Sequence, residues 1–458
     1  MLRGVTSERL VIGLLFVVIA TLACLAPAQS DTWWHLRVGQ DIWRSGTISL
    51  VETYSHTAAG REFPNHEWLA ELIFYGAYSL GGLPALTVLC AALIVSAYAL
   101  AWRMAEAAFE AKFLIVLLGL SSSISIWALR PQVFTLALFA LTCNWLAADR
   151  LWLLPLLFAV WTNLHGGVAF GLVAIGAASV AALVFDRRSA RRMLITLVAS
   201  TLATLASPLG WRLWAVIPES IERSRVNNLM EWRPPDFSLG LAPFWVAAAA
   251  LPFLMILRRR VLTGREIRLG AIALAVLPVA MRSFRNVPIF LIVAMPAIAS
   301  IVKPQSPRDP ARRLPRERTG VNAAFLGVAA LVGLVVALGA WLEPAERLGW
   351  RPMSRQAAAA VAECPDPLYN TYGGGGVLLW FVQPKRVFID NRQDPYPHEL
   401  MAANSMAEAT GDYDALFAAH GIRCAAVTPY SPMAARLGAD LAWTTRYVDD
   451  QWIVFVRR

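Results

Sequence analysis

Charge is scarce in this chain. Only 16% of its 458 residues are Asp, Glu, Lys or Arg, and 57% are apolar. A soluble protein of this length carries more charge to cover its surface, so a soluble globular class is excluded. No GxGxxG or Walker pattern is present, which removes the common nucleotide-binding loops. There is no internal repeat, whereas many transporters are built from repeats. Cysteines number five. Cys24, Cys90 and Cys143 fall in apolar runs and read as small core residues. Cys364 and Cys424 share the C-terminal polar region and could pair if that region lies outside the cytoplasm. The net charge of +10 does not indicate nucleic acid, because the basic residues sit in short loops between apolar runs, where membrane topology is encoded.

What the chain has is apolar blocks long enough to cross ~30 Å of hydrocarbon as helices. They predict a polytopic α-helical membrane protein with about 11 transmembrane helices, near 10–27, 84–103, 113–129, 132–148, 151–165, 167–185, 193–207, 241–257, 269–282, 287–302 and 320–342. The first block reads as a retained helix, not a signal peptide. Lys and Arg concentrate in alternate loops: Arg3 and Arg9; Arg103 and Lys112; Arg150; Arg187 to Arg192; Arg258 to Arg268; Lys303 to Arg318. This predicts a cytoplasmic N-terminus and an extracytoplasmic C-terminus. The transmembrane domain is expected over 1–342. It carries a first outer loop with interfacial helices over 31–80 and a second outer loop over 208–240. Within the first, His66 to Leu80 reads as an amphipathic helix in the interface. Lys303 to Thr319, rich in Pro and Arg, reads as a flexible linker.

Residues 343–458 are expected to form a small C-terminal α/β extracytoplasmic domain. Val377 to Val382, Arg386 to Ile389, Cys424 to Thr428 and Trp452 to Val456 read as strands; His398 to Thr410 and Tyr413 to His420 read as helices. Gly373 to Gly376 reads as a tight turn at a strand start. Asp390, Asn391, Arg392 and Asp394 could bind an acceptor glycan or cap a turn.

Polar residues gather at the outer span ends: Asp31, His35 and Arg37; Trp127, Arg130 and Gln132; Asn163 and His165; Arg282, Arg285 and Asn286. Interfacial anchoring by Arg and Trp explains part of this set. It does not explain Asp31, His35 and His165, since ionisable groups at membrane depth are costly and tend to be functional. An acid just beyond a span can take a proton from a nucleophile or hold a divalent cation. Arg37, Arg130, Arg282 and Arg285 are candidate phosphate clamps, because guanidinium matches phosphate geometry. Asn163 joins them as a candidate ligand contact. Trp34 could pack on a lipid or stack on a sugar.

Asp31-x-Trp-Trp-His-x-Arg37 after the first span resembles the first-loop signature of the GT-C superfamily. These membrane glycosyltransferases use polyprenyl-phosphate-linked sugars; they include oligosaccharyltransferase catalytic subunits, protein O-mannosyltransferases and aminoarabinose transferases of lipid A. Asn163-Leu164-His165-Gly166, Arg130-Pro131-Gln132 and Asp390-Asn391-Arg392 extend the likeness to uncharacterised bacterial proteins of that type. The resemblance implies a bacterial inner-membrane enzyme. It would move a sugar from a polyprenyl-phosphate donor to an envelope glycan, lipid or protein, with membrane lipids as further partners and no nucleic acid. By position Asp31 would be the base or a metal ligand, with Mg or Mn as the candidate ion. Glu52 and Glu67 are candidates for a second acid, since Asp31 lacks the paired neighbour found in many members, and His35, His66 and His165 could assist. A transporter or flippase for lipid-linked sugar and a non-catalytic polysaccharide assembly factor are the rival readings.

Overall fold

The computed structural model describes residues 5–226, 230–302, 318–343 and 346–458. Most of the expected 303–319 linker lies outside them. The chain divides into two compact units. One comprises Met1–Ala26, Leu83–Gly210 and Met230–Glu343; the other comprises Pro27–Gly82, Trp211–Leu229 and Pro344–Arg458.

The first unit is helical. Among the described residues seven helices are long and apolar enough to span a membrane, or up to eight if a bent pair counts as one. They coincide with seven of the expected spans: Ser7–Cys24, the second half of Trp68–Met104, Phe109–Ile126, Val168–Phe185, Leu239–Leu257, Phe284–Val302 and Thr319–Leu342. The remaining expectations differ for local reasons. The 132–148 run is the shorter apolar helix Gln132–Ala147. The 151–165 run holds only the eight-residue helix Leu154–Trp161. The 269–282 run lies in Gly264–Arg282, whose first turn is charged and capped by the Thr263–Glu266 capping box. Residues 193–207 fall largely in Arg187–Ala203, started by the Asp186 side chain accepting from the amides of Arg188 and Ser189. Phe284–Val302 is 89% buried and therefore central, whereas Thr319–Leu342 is 6% buried and peripheral, packing along Ser7–Cys24.

The second unit gathers the first outer segment with the C-terminal residues. The first outer segment opens with a helix, Ser30–Ser45, closed by Gly46 in the left-handed conformation. A second helix begins at Trp68, and its first half ends at Gly81 and Gly82, where φ of +64° at Gly82 breaks the helix. The α/β part is also not confined to 343–458. Ala58 lies in its core with Tyr369, Phe388, Met401 and Phe417, and Val387 pairs in parallel with Ser55.

Its sheet has four strands, β1 (Leu368–Asn370), β2 (Cys424–Val427), β3 (Trp443–Val448) and β4 (Ile453–Arg457), in the order β1-β2-β4-β3. β1 runs parallel to β2, and the other pairs are antiparallel. β2, β4 and the helices His398–Thr410 and Asp414–His420 match the expected elements. Val377 to Val382 does not: it lies in the helix Gly375–Phe381 and its cap, because a short apolar run has no period to separate strand from helix. Gly373 to Gly376 accordingly leads into that helix, not into a strand. Arg386 to Ile389 forms no named strand; its partner is the first outer segment. Cys364 and Cys424 form a disulfide with Cα atoms 5.7 Å apart.

Candidate active site

The candidate residues fall into two clusters, one in each unit. In the second unit, the helix Ser30–Ser45 sets Asp31 in its first turn and His35 one turn later on the same face. Two glycines permit the close approaches that fix this helix. A Cβ on Gly39 would overlap the Glu71 carbonyl oxygen, and a Cβ on Gly376 would overlap that of Ser30. His35 is buried between two carboxylates. Its Nδ1 lies 3.3 Å from Glu71 and its Nε2 lies 3.6 Å from Glu67.

Asn65 completes the cluster. Its Nδ2 donates to Glu71 Oε2 at 2.7 Å and its Oδ1 accepts from the Glu67 amide at 3.2 Å. His66 stands 3.7 Å from Glu67. Asp31, unlike buried Glu71, is only half-buried; it accepts from the Trp34 indole at 3.4 Å. Trp34 is itself buried, with its ring 3.5 Å from that of His35. It supports Asp31 and His35 and presents no open stacking face. Among the described residues no group of three or more His, Cys, Asp and Glu side chains could hold a metal ion. No step below runs through a metal.

Two other expected residues of this unit are held elsewhere. Arg37 donates to Asp41 at 3.0 Å, and Asp41 also accepts from the Tyr54 hydroxyl at 2.9 Å. Glu52 is buried and grips Arg392, at 2.5 and 3.1 Å, while accepting from the amides of Tyr54 and Ser55. Arg392 also holds Asp390, which accepts from the Tyr396 hydroxyl. Glu52 and Asp390-Asn391-Arg392 thereby join the first outer segment to the C-terminal residues.

In the first unit, Arg130 and Arg285 converge on one carboxylate, Glu231. Arg130 donates from both terminal nitrogens, at 2.8 and 3.1 Å; Arg285 donates one bond at 2.8 Å and a second to Gln132 at 3.2 Å. The Trp232 ring lies 4.7 Å from the Arg285 guanidinium carbon. Burial alone would raise the Glu231 carboxyl, but Arg285 and Arg130 outweigh it and hold it at about 2. Beside this ion cluster lies a cavity of ≈ 40 Å³ lined by Gln132, Thr135, His165, Arg285 and Asn286 among apolar residues.

His165 is positioned through Thr135. The Trp161 indole donates to the Thr135 hydroxyl at 3.1 Å, and that hydroxyl lies 2.9 Å from His165 Nδ1. Nδ1 also accepts from the Gly167 amide at 2.9 Å. These partners assign the ring proton to Nε2, which suits His165 to donate to an anion better than to take a proton. Asn163 does not line the cavity; its amide is tied to the carbonyls of Ala159 and Ala206. Arg282 is exposed, outside the pair.

Glu231 and Glu71 are the members of these two clusters that sequence reasoning did not single out. Glu71 carried a signal, being four residues from Glu67 on one helix face. Glu231 carried only its neighbour Trp232, because its partners are 101 and 54 residues away.

No protein-family model matches the chain, and no curated protein does. Solved structures do. ArnT from Cupriavidus metallidurans bound to undecaprenyl phosphate is similar with a TM-score of 0.55 and 14% identity, over 97% of each chain. The Archaeoglobus fulgidus oligosaccharyltransferase tethered to an acceptor peptide gives 0.54 and 13%, over 91% of this chain and 69% of its own. The same organism's AglB with an inhibitory peptide and a dolichol-phosphate gives 0.51 and 11%, with the same coverage. The likeness is one of fold: a mostly helical chain with several helices long and apolar enough to span a membrane.

Proposed function

We propose that this protein is a membrane glycosyltransferase that moves a sugar from a polyprenyl-phosphate-linked donor to an envelope glycan, lipid or protein. The observation that carries the reading is the convergence of Arg130 and Arg285 on a single anion beside a cavity lined by His165 and Gln132. Two guanidiniums aimed at one anion form a phosphate site by chemistry. The solved structures support it, since ArnT is bound to undecaprenyl phosphate and AglB to a dolichol-phosphate.

In the reaction, an acceptor hydroxyl or amine attacks the anomeric carbon. The bond from that carbon to the phosphate oxygen breaks, and its electron pair leaves with the polyprenyl phosphate. Arg130, Arg285 and the His165 Nε2–H stabilise the departing anion. The acceptor proton passes to a carboxylate base; the first-loop motif makes Asp31 the candidate, and its partial exposure distinguishes it from Glu52 and Glu71. The Glu67–His35–Glu71 cluster holds the helix that carries Asp31.

The reading places the enzyme in a bacterial inner membrane with a cytoplasmic N-terminus and the Asp31 helix on the outer face. The alternation of basic loops supports that orientation, as does the Cys364–Cys424 disulfide, a bond that persists in oxidising compartments. The test is transfer of radiolabelled sugar from polyprenyl-phosphate donors to envelope fractions by the purified protein in lipid nanodiscs. Asp31→Asn should abolish transfer with the melting temperature unchanged. Full activity in that variant sinks the assignment of the base, and absence of transfer with every envelope fraction sinks the enzyme reading.

A further inference from the structure

We propose that Glu231 is an internal ligand of the arginine site: its carboxylate occupies the position of a lipid phosphate and must leave when that phosphate arrives. The inference rests on the reading of Arg130 and Arg285 as a phosphate clamp. Two guanidiniums brought to one point repel unless an anion lies between them. Glu231 supplies the anion, bonded by both arginines at 2.8 to 3.1 Å. Carboxylate and phosphate present the same paired-oxygen geometry to guanidinium, so one can replace the other without rebuilding the clamp.

Three observations make exchange the natural step. First, the cavity of ≈ 40 Å³ beside Arg285 holds a few waters at most, so a phosphate can gain both arginines only where the carboxylate now lies. Second, Arg285 has supports apart from Glu231. Arg285 lies over the Trp232 ring and donates to Gln132, so it stays aimed when the carboxylate swings away. Third, the main chain around Glu231 is tied down. Ser283 Oγ donates to the Glu231 carbonyl at 3.1 Å, and the Phe284 amide donates to the Arg233 carbonyl at 2.9 Å. The exchange therefore needs only side-chain rotation. Charge also agrees: two arginines and Glu231 leave one net positive charge, and a phosphate monoester in place of the carboxylate neutralises it.

An internal competitor lowers apparent affinity by the fraction of time it is out. Full-length protein in nanodiscs is titrated with undecaprenyl phosphate, comparing wild type, Glu231→Gln, Glu231→Ala, Arg130→Ala and Arg285→Ala. Glu231→Gln and Glu231→Ala should bind about tenfold tighter than wild type, and both arginine variants should bind more weakly. Unchanged or weaker binding in both Glu231 variants, with the arginine variants still impaired, overturns the internal ligand and leaves the phosphate clamp standing. Wild-type affinity in both arginine variants overturns the clamp and the inference with it. A measurement on wild type covers variants that fail to fold. Carbodiimide coupling of an amine at Glu231, read by peptide mass spectrometry, should be slow in the free protein and rise when undecaprenyl phosphate is present, because displacement frees the carboxylate. A fall in coupling on adding the lipid overturns the proposal.

Discussion

The amide of Gly376 donates a hydrogen bond of 3.1 Å to the Ser30 hydroxyl, across 346 residues of chain. Ser30 opens the helix that carries Asp31, so a glycine of the C-terminal region sets the start of the first outer helix. A Cβ at Gly376 would overlap the Ser30 carbonyl oxygen, whereas one at Gly373 would meet nothing within 4 Å. Gly376→Ala should therefore push the Asp31 helix aside and lower transfer by about a hundredfold, the scale of a 1 Å misplacement. Gly373→Ala, three residues earlier, should retain wild-type transfer. Equal activities in the two variants would refute the link between this contact and Asp31.

Arg392 is buried between Glu52 and Asp390. Removing one partner of a buried ion cluster leaves uncompensated charge and costs about 3–5 kcal/mol. Arg392→Ala should sharply lower the thermal unfolding midpoint, and Arg392→Met combined with Glu52→Gln and Asp390→Asn should recover much of the loss. A midpoint near wild type for Arg392→Ala would show that these charges are hydrated.

Glu231 makes acid stability diagnostic. Its carboxyl is held at about 2, below the ordinary 4.5. The unfolded chain takes up this proton more readily than the folded one, so the ion cluster's stabilisation is complete above pH 4.5 and drains away as pH falls toward 2. Thermal midpoints over that interval should fall less steeply for Glu231→Gln than for wild type. Parallel curves would mean that Glu231 is not paired in solution.

The Cys364–Cys424 disulfide spans 60 residues of sequence, a loop whose closure is worth about 4 kcal/mol on the chain-entropy model. Reduction, or Cys364→Ser with Cys424→Ser, should lower the unfolding midpoint without changing the affinity for undecaprenyl phosphate. Unchanged resistance to heat and protease after complete reduction would contradict that contribution.

Eleven apolar runs correspond to seven long apolar helices among the described residues for a physical reason. An apolar run reports that a helix avoids water, not whether lipid or protein covers it. Leu154–Trp161 is too short to cross a bilayer, and Gln132–Ala147 is likewise a shorter apolar helix. The motif around Asp31 was legible for the opposite reason: Asp31 and His35 lie four residues apart, and helix geometry alone puts them on one face. The run Val377 to Val382 was not legible, because six apolar residues suit either element and only Gly375 and Gly376, pressed against Ile389 and Ser30, settle on a helix.

By itself, then, the sequence determined the helical membrane class, the seven runs that became long apolar helices, and the placing of Asp31 and His35 on one face. These depend on local hydrophobic content and on helical period, which act over a few residues. Only the tertiary structure decided which charge meets which: Glu231 with Arg130 and Arg285, Glu52 with Arg392, Glu71 with His35. Those pairs join residues from 36 to 340 positions apart. An ion pair depends on distance in space, and nothing in the spacing of such residues along the chain records it.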